Sequence, residues 1–365
     1  MREIRIIENA IQAFSLDLSE MTVFTEAASG QFAWTPVMAA MAGAEKVFAL
    51  AKDSRYATIS EAREQVLEKA EKVGVADRIS VVEDYSGLSE SDIVTNSGAV
   101  RPLNTERIGC MKSGSVIPLM WETWEFREAD LDIRACAEKD ILVLGTNEMH
   151  SLLRTFEFVG MVALKLLFES GIELFRSKVL VVGGGHFGES VLQALNALDA
   201  KVACVCLEED RSDIINEFLL GERLSDPKIQ KFLGQADAVI FAEHHKENLL
   251  LGSGGELTLQ QLKNINPDIK LTHISGWINS EELHASGIEC HPVQLATAPR
   301  VMSVTTDYVG PKAVLELNVA GLKVGELMRR ARLKYPHDIR AARAFALENT
   351  FCSNFSDEQI RKYGL

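Results

Sequence analysis

The stretch "KVLVVGGGHFGESVLQALNALDAKVACVCLEED", residues 178 to 210, constrains what this chain can fold into more than any other. An apolar run without polar alternation reads as a strand buried on both faces. A glycine cluster, an amphipathic helix pattern and a second apolar run ending in acid follow it. Gly183, Gly185 and Gly188 stand at GxGxxG spacing directly after the first strand. The first glycine permits the tight turn, the second lets backbone approach a pyrophosphate, and the third lets helix and strand pack closely. The helix opening near His186 aims its N-terminal amides, with their partial positive charge, at such phosphates. His186 either contacts phosphate or faces solvent, and Phe187 completes the turn. Glu208, at the end of the second strand, offers a carboxylate for both ribose hydroxyls and repels a 2′-phosphate, which favours NAD over NADP. The alternatives are a turn that merely needs glycine and an acid run, Glu208-Glu209-Asp210, that is only solvated.

The rest of the chain alternates strand and helix patterns. "MTVFTE" (21–26), "KVFALA" (46–51), "DRISVVED" (77–84), "DIVTNS" (92–97), "SVIPLM" (115–120) and "DILVLGT" (140–146) read as strands before the glycine turn. "DAVIFAE" (237–243), "KLTHISG" (270–276), "IECHP" and "VMSVTT" (301–306) read as strands after it. Apolar helix patterns cover 148–171 and 311–333, and a helical tail follows. Strands separated by helices mean parallel sheets, and 365 residues exceed one ordinary core. The expected fold is α/β, two Rossmann-like domains with parallel sheets and a cofactor cleft between them. Residues 1–150, completed by returning helices in 310–365, form the expected substrate domain, and 151–309 the NAD-binding domain.

A net charge of -14 argues against nucleic-acid or anionic-membrane partners, which need a basic surface. No apolar run is long enough for a membrane span and the start lacks a signal-type apolar core, so the cytoplasm is the expected compartment. Cys110, Cys136, Cys204, Cys206, Cys290 and Cys352 form no CxxC pair, and no HExxH or Cys/His cluster suggests a metal. They read as reduced structural thiols.

From about residue 92 to 330 the order of segments resembles the D-2-hydroxyacid dehydrogenase superfamily, which includes formate dehydrogenases. "DIVTNSGAVRP", "DILVLGTNE", the glycine turn, "DAVIFAEHH", "LTHISG" and "VTTDYVGPKAV" follow in that family's order. The resemblance implies NAD, a small-molecule substrate and a homodimer. It also exposes departures. Ser275 stands nearest the family's catalytic arginine, beside the cofactor, and Asp307 stands where it has histidine. Glu289 and His291 are the only polar candidates near its catalytic glutamate. Trp121, Glu122, Thr123 and Trp124 replace its carboxylate-binding glycine loop. The first 100 residues bear a second likeness, to class I S-adenosylmethionine methyltransferases, with Glu26 and Gly30 at the acidic start and glycine loop and Asp84 or Glu83 near the adenine-contacting acid. There Ala51 occupies the ribose-acid position and Asp53 comes two residues late, so the segment reads as an ordinary Rossmann-like sheet.

Histidine is the natural proton carrier near neutral pH. His244 follows a strand at its carboxyl end, where ligands bind in open α/β sheets. His244, His291 and Asp307 are the catalytic candidates, with Tyr308 a hydrogen-bonding neighbour. Gly183, Gly185, His186, Phe187, Gly188, Glu208 and Ser275 are the cofactor candidates. Arg101, Trp121, Glu122 and Trp124 are the substrate candidates, with Glu125 beside them on the cleft wall: aromatic walls with a carboxylate suit an amine-bearing substrate, and the arginine an anion. The expected function is an NAD-dependent oxidoreductase acting on a small polar metabolite with an atypical acid–base set. The alternatives are an S-adenosylmethionine-dependent methyltransferase using the first domain and a non-catalytic dinucleotide-binding protein.

Overall fold

The computed structural model describes residues 1–296 and 298–365. The chain divides into two units, Met1–Arg154 with Pro311–Leu365, and Thr155–Gly310. The first begins with helix α1 (Arg2–Ala13), which the sequence pattern did not single out. Its strands are β1 (Thr22–Ala27), β2 (Lys46–Ala51), β3 (Ile79–Val82), β4 (Ile93–Val94), β5 (Val116–Pro118) and β6 (Leu142–Thr146). Helices α2 (Thr35–Met41), α3 (Ile59–Lys72), α4 (Thr105–Cys110) and α5 (Ile133–Glu138) alternate with them. In β1 and β2 five of six residues are buried, which is why their sequences show no polar alternation. A capping box between Thr58 and Glu61 starts α3 where the periodic pattern begins.

The second unit opens with α6 (Glu157–Glu169), followed by β7 (Lys178–Val182), α7 (Gly185–Asn196), β8 (Lys201–Val205), α8 (Asp213–Phe218) and β9 (Leu219–Gly221). Then come α9 (Pro227–Leu233), β10 (Ala238–Ala242), β11 (Leu249–Leu251), α10 (Leu259–Ile265), β12 (Lys270–Ser275), β13 (Trp277–Ile278), α11 (Ser280–Ser286) and β14 (Cys290–His291). Helices α6 and α7 meet through Gly160, where a Cβ would lie 2.6 Å from the Ser190 carbonyl oxygen. The chain returns to the first unit through α12 (Lys312–Lys334), α13 (Ile339–Leu347), β15 (Cys352–Ser353) and α14 (Asp357–Tyr363). Helix α12 lies close on its sheet because Gly321 and Gly325 carry no side chain. A Cβ there would come within 2.7 Å of Met120 and 2.8 Å of Ile93.

Both sheets share one plan. Their orders are β15-β6-β5-β4-β1-β2-β3 and β14-β12-β10-β7-β8-β9. All pairs are parallel except β15 with β6. The strand order reverses between β1 and β4 in the first unit and between β7 and β10 in the second. Ligands bind outside the carboxyl ends of strands at such reversals.

Three segments differ from expectation. Residues 148–156 are not helical. The Glu148 amide is bonded to Glu122 Oε1, the His150 ring stacks on Phe351 at 3.9 Å, and Arg154 has a positive φ of 49°. Residues 301–306 form no strand, because Ser303 is held by three groups: its amide by the Ile274 carbonyl, its hydroxyl by His273 and the Ala296 amide. The tail is helical but also contributes the edge strand β15.

Candidate functional site

Around the glycine turn of the second unit, each glycine is required by what lies against it. Gly183 has φ 133°, and a Cβ there would sit 2.4 Å from the Ala242 carbonyl oxygen. At Gly188 a Cβ would sit 2.3 Å from the Gly183 carbonyl oxygen, so helix α7 could not close on the turn. Gly185 has φ 56°, and a Cβ there would sit 2.9 Å from His245 Nε2. Helix α7 has no side-chain cap at its start, leaving amides and dipole for an anion.

Gly184 shows which residues stand beside the turn. A Cβ there would lie 2.3 Å from Cys206 Sγ and 2.7 Å from Asp210 Cβ. Cys206 and Asp210 are therefore the residues beside the turn, and Glu208 is exposed. The Asp210 carboxylate is 3.8 Å from His245 Nδ1. The sequence spacing favours Glu208, but the chain leaves β8 at Val205 and turns through Glu208–Asp210, which brings the third acid of the run back to the glycines. A cavity of ≈ 430 Å³ opens beside this loop, lined by Leu207, Arg223, Lys246, Asn248, Leu249, Gly254, Gly255 and Glu256.

The carboxyl end of β10 is built by Glu243. Its buried carboxylate accepts from the His245 and Lys246 amides at 2.8 and 3.0 Å, and Lys246 Nζ lies 3.8 Å away. That arrangement turns the chain sharply and presents His244, whose ring stacks on Phe187 at 4.4 Å. His186 stacks on Phe156 at 4.9 Å. Ser275, at the end of β12, is fully buried, and its hydroxyl has no hydrogen-bond partner. Glu243 Oε2 likewise accepts no hydrogen bond, its one cation being Lys246 Nζ at 3.8 Å. Two unmet polar atoms at carboxyl strand ends suit a ligand that brings its own donors and acceptors.

His291 and Asp307 stand elsewhere in this unit. His291 is on edge strand β14, level with Thr272 in mid-strand, and its Nε2 is 3.3 Å from Glu289. The register thus keeps it short of the strand ends. Asp307 accepts from the Thr305 hydroxyl within a 3-10 turn. Tyr308 bonds Glu169 on α6, and that carboxylate pushes its phenol up to about 12. His273 is buried, with Nδ1 2.7 Å from the Ser303 hydroxyl and Nε2 2.8 Å from the Gly276 carbonyl.

The first unit gathers its own polar cluster at carboxyl strand ends. Arg101 pairs with Asp130 at 3.0 Å, donates through Nε to the Asn96 carbonyl, and lies over the Trp121 ring at 4.1 Å. Glu122 is buried, accepting from the Glu148 amide at 2.9 Å and from the Ser353 hydroxyl of β15 at 2.6 Å. Trp124 is exposed. Three more residues belong to this cluster, of which the sequence pattern missed only Asn96. Glu26 is buried under exposed Gly98, accepts from the Ala99 amide, and is raised by desolvation. Glu125 is pushed up to about 7, by burial first and by Glu122 second. Asn96 is buried with Oδ1 unbonded. The methyl-donor likeness lacks its ribose acid here, because Ala51 is buried and Asp53 is used to accept from the Ile59 amide at the start of α3.

Among the described residues no group of His, Cys, Asp and Glu side chains could hold a metal ion, and no helix is long and apolar enough to cross a membrane. No family model matches the chain, and no curated relative matches it. Solved structures do. A dipicolinate synthase from Bacillus subtilis is similar at 10% identity and TM-score 0.53, over 88% of this chain and 99% of that one. The corresponding dipicolinate synthase from Bacillus halodurans is similar at 12% identity and TM-score 0.50, over the same shares. The D-lactate dehydrogenase of Aquifex aeolicus follows at 13% identity and TM-score 0.45, over 86% and 96%. The chain thus has the fold of these dipicolinate synthases.

Proposed function

We propose that the protein is an NAD-dependent oxidoreductase acting on a small polar metabolite. The observation that carries this reading is the glycine turn. Gly183, Gly185 and Gly188 are sterically required, an uncapped helix start faces the turn, and an acid lies beside it. The turn and helix start would hold the pyrophosphate, Asp210 the adenosine ribose, and the cavity beyond Leu207 the adjoining base. When bound, NAD supplies the hydride acceptor; the chain's own residues bind, orient and move the proton. Ser275 and Glu243 would meet the nicotinamide end with a hydroxyl and a carboxylate oxygen that make no hydrogen bond within the chain. His244 is the first candidate for proton transfer, because it stands at a carboxyl strand end and Phe187 fixes its ring plane. Asp307 is the second. His291 is the third, its imidazole already engaged with Glu289 at the sheet edge.

Thermal unfolding with NAD, NADH, NADPH and S-adenosylmethionine tests the reading. A ligand that binds only the folded state raises the melting temperature by mass action. NAD or NADH should raise it, and S-adenosylmethionine should not. No rise with either dinucleotide would sink the proposal. His244→Ala should keep the NAD shift and lose turnover, which separates a catalytic role from a binding one.

A further inference from the structure

The loop after β10 lays one imidazole against the glycine turn. Both backbone groups of His245 are tied: its amide donates to Glu243 Oε1 at 2.8 Å, and its carbonyl accepts from Arg300 Nε at 3.2 Å. With the backbone held, the side chain lies over Gly185, the first residue of α7. A Cβ on Gly185 would be 2.9 Å from Nε2, 3.4 Å from Cδ2 and 3.7 Å from Cε1, so the Nε2 edge of the ring faces the turn. On the other side, Nδ1 lies 3.8 Å from the Asp210 carboxylate. That is too long for a hydrogen bond but close for two charges. The His245 side chain is 42% exposed, so a ligand can reach it.

Two opposed influences meet at this ring. Asp210 favours an imidazolium, and the partial positive charge at the start of α7 disfavours one. The other ionisable groups nearby are engaged or neutral. Glu243 and Lys246 lie buried 3.8 Å apart, and Arg300 pairs with Glu247 at 3.3 Å. Cys206, beside Asp210 at Gly184, stays a neutral thiol, because burial first and Asp210 second push it up to about 12. The His244 ring is edge-on to that of His245, with centroids 6.4 Å apart. An anion held at the turn changes the balance. It offsets the partial charge of the amides and adds its own negative charge, and the imidazolium becomes the favoured form.

We propose that His245, as an imidazolium, binds the pyrophosphate of the dinucleotide through Nε2, and that dinucleotide binding therefore takes up a proton. The inference rests on the glycine turn being the dinucleotide site. An imidazolium has a donor on each nitrogen, one for the phosphate and one towards Asp210. A neutral imidazole cannot serve both, since one of its nitrogens carries no proton. Asp210 thus acts twice, as the acid on the ribose side and as the counter-charge of the ring on the phosphate side.

Calorimetric titration of the full chain tests this, near neutral pH and in two buffers of different ionisation enthalpy. The probes are NAD and ADP-ribose, whose pyrophosphate diesters keep their charge throughout, with adenosine as the phosphate-free control. NAD and ADP-ribose should bind with proton uptake, seen as a heat that differs between the buffers, and more weakly as the pH rises from about 6 to about 8. Adenosine should show no uptake. His245→Gln should abolish the uptake and, at the acid end, weaken NAD and ADP-ribose about ten- to hundred-fold, the range for a charged hydrogen bond lost. His245→Lys, which carries a fixed charge, should restore affinity without uptake. If NAD binds the unaltered chain without proton uptake, or if His245→Gln keeps both uptake and affinity, the proposal is overturned and the oxidoreductase reading stands. If neither NAD nor ADP-ribose binds the unaltered chain, the reading of the turn fails and takes the proposal with it.

Discussion

Acid should loosen the second unit through one side chain, His273. Its ring is fully buried. A carbonyl can only accept, so Nε2 carries the proton and donates to Gly276, and Nδ1 accepts from the Ser303 hydroxyl. The imidazole is therefore neutral, and burial lowers its pKa from 6.5 to about 4. In the unfolded chain it titrates near the ordinary value, so between those two pH values the unfolded state binds more protons. Stability is then full above about pH 6.5 and falls as the pH drops towards 4. One pKa unit is worth ~1.4 kcal/mol, so the whole window is worth ~3 kcal/mol, a large share of a typical domain's stability. Urea unfolding at a series of pH values, followed by a probe in the second unit, should show this slope. His273→Gln should flatten the part of it that lies between pH 4 and 6.5. A folded-state titration of the His273 ring above pH 6 by NMR would refute the reasoning, since it would mean that burial does not set the charge.

Gly188→Ala should abolish dinucleotide binding and lower the melting temperature, because its Cβ would collide with the Gly183 carbonyl oxygen; unchanged NAD affinity would count against the turn as the phosphate site. Asp210→Ala should weaken NAD several-fold in a fluorescence titration, whereas Glu208→Ala should change it little, in keeping with their places beside and away from Gly184. Ser353→Ala should lower stability by about 1–2 kcal/mol on urea unfolding, the usual cost of leaving a buried carboxylate one hydrogen bond short. Under native alkylation with iodoacetamide, exposed Cys110 should be modified first, and buried Cys136, Cys204 and Cys352, whose thiols burial pushes up, should react only on unfolding.

The strands and the glycine turn were legible in the sequence because their signals are local. Buried parallel strands write themselves as apolar runs such as "KVFALA" and "KVLVV", and a GxGxxG after one of them leaves little else for the backbone to do. The α/β class and the strand–helix alternation followed from that. Side-chain partnerships across the fold were not legible. Asp210 rather than Glu208 reaches the glycines because of how three residues turn after β8. Ser303 is pulled out of a strand-like run by His273, 30 positions away. Glu122 is fixed by Ser353, 231 positions further along, after β15 adds an antiparallel edge to β6. The Thr95 and Thr25 hydroxyls, 70 positions apart, meet only when β4 pairs with β1. Periodicity reports which face of an element is buried, a property of consecutive residues. Which charge or hydroxyl waits on the other side depends on strand order and register, and those are settled only when the whole chain packs.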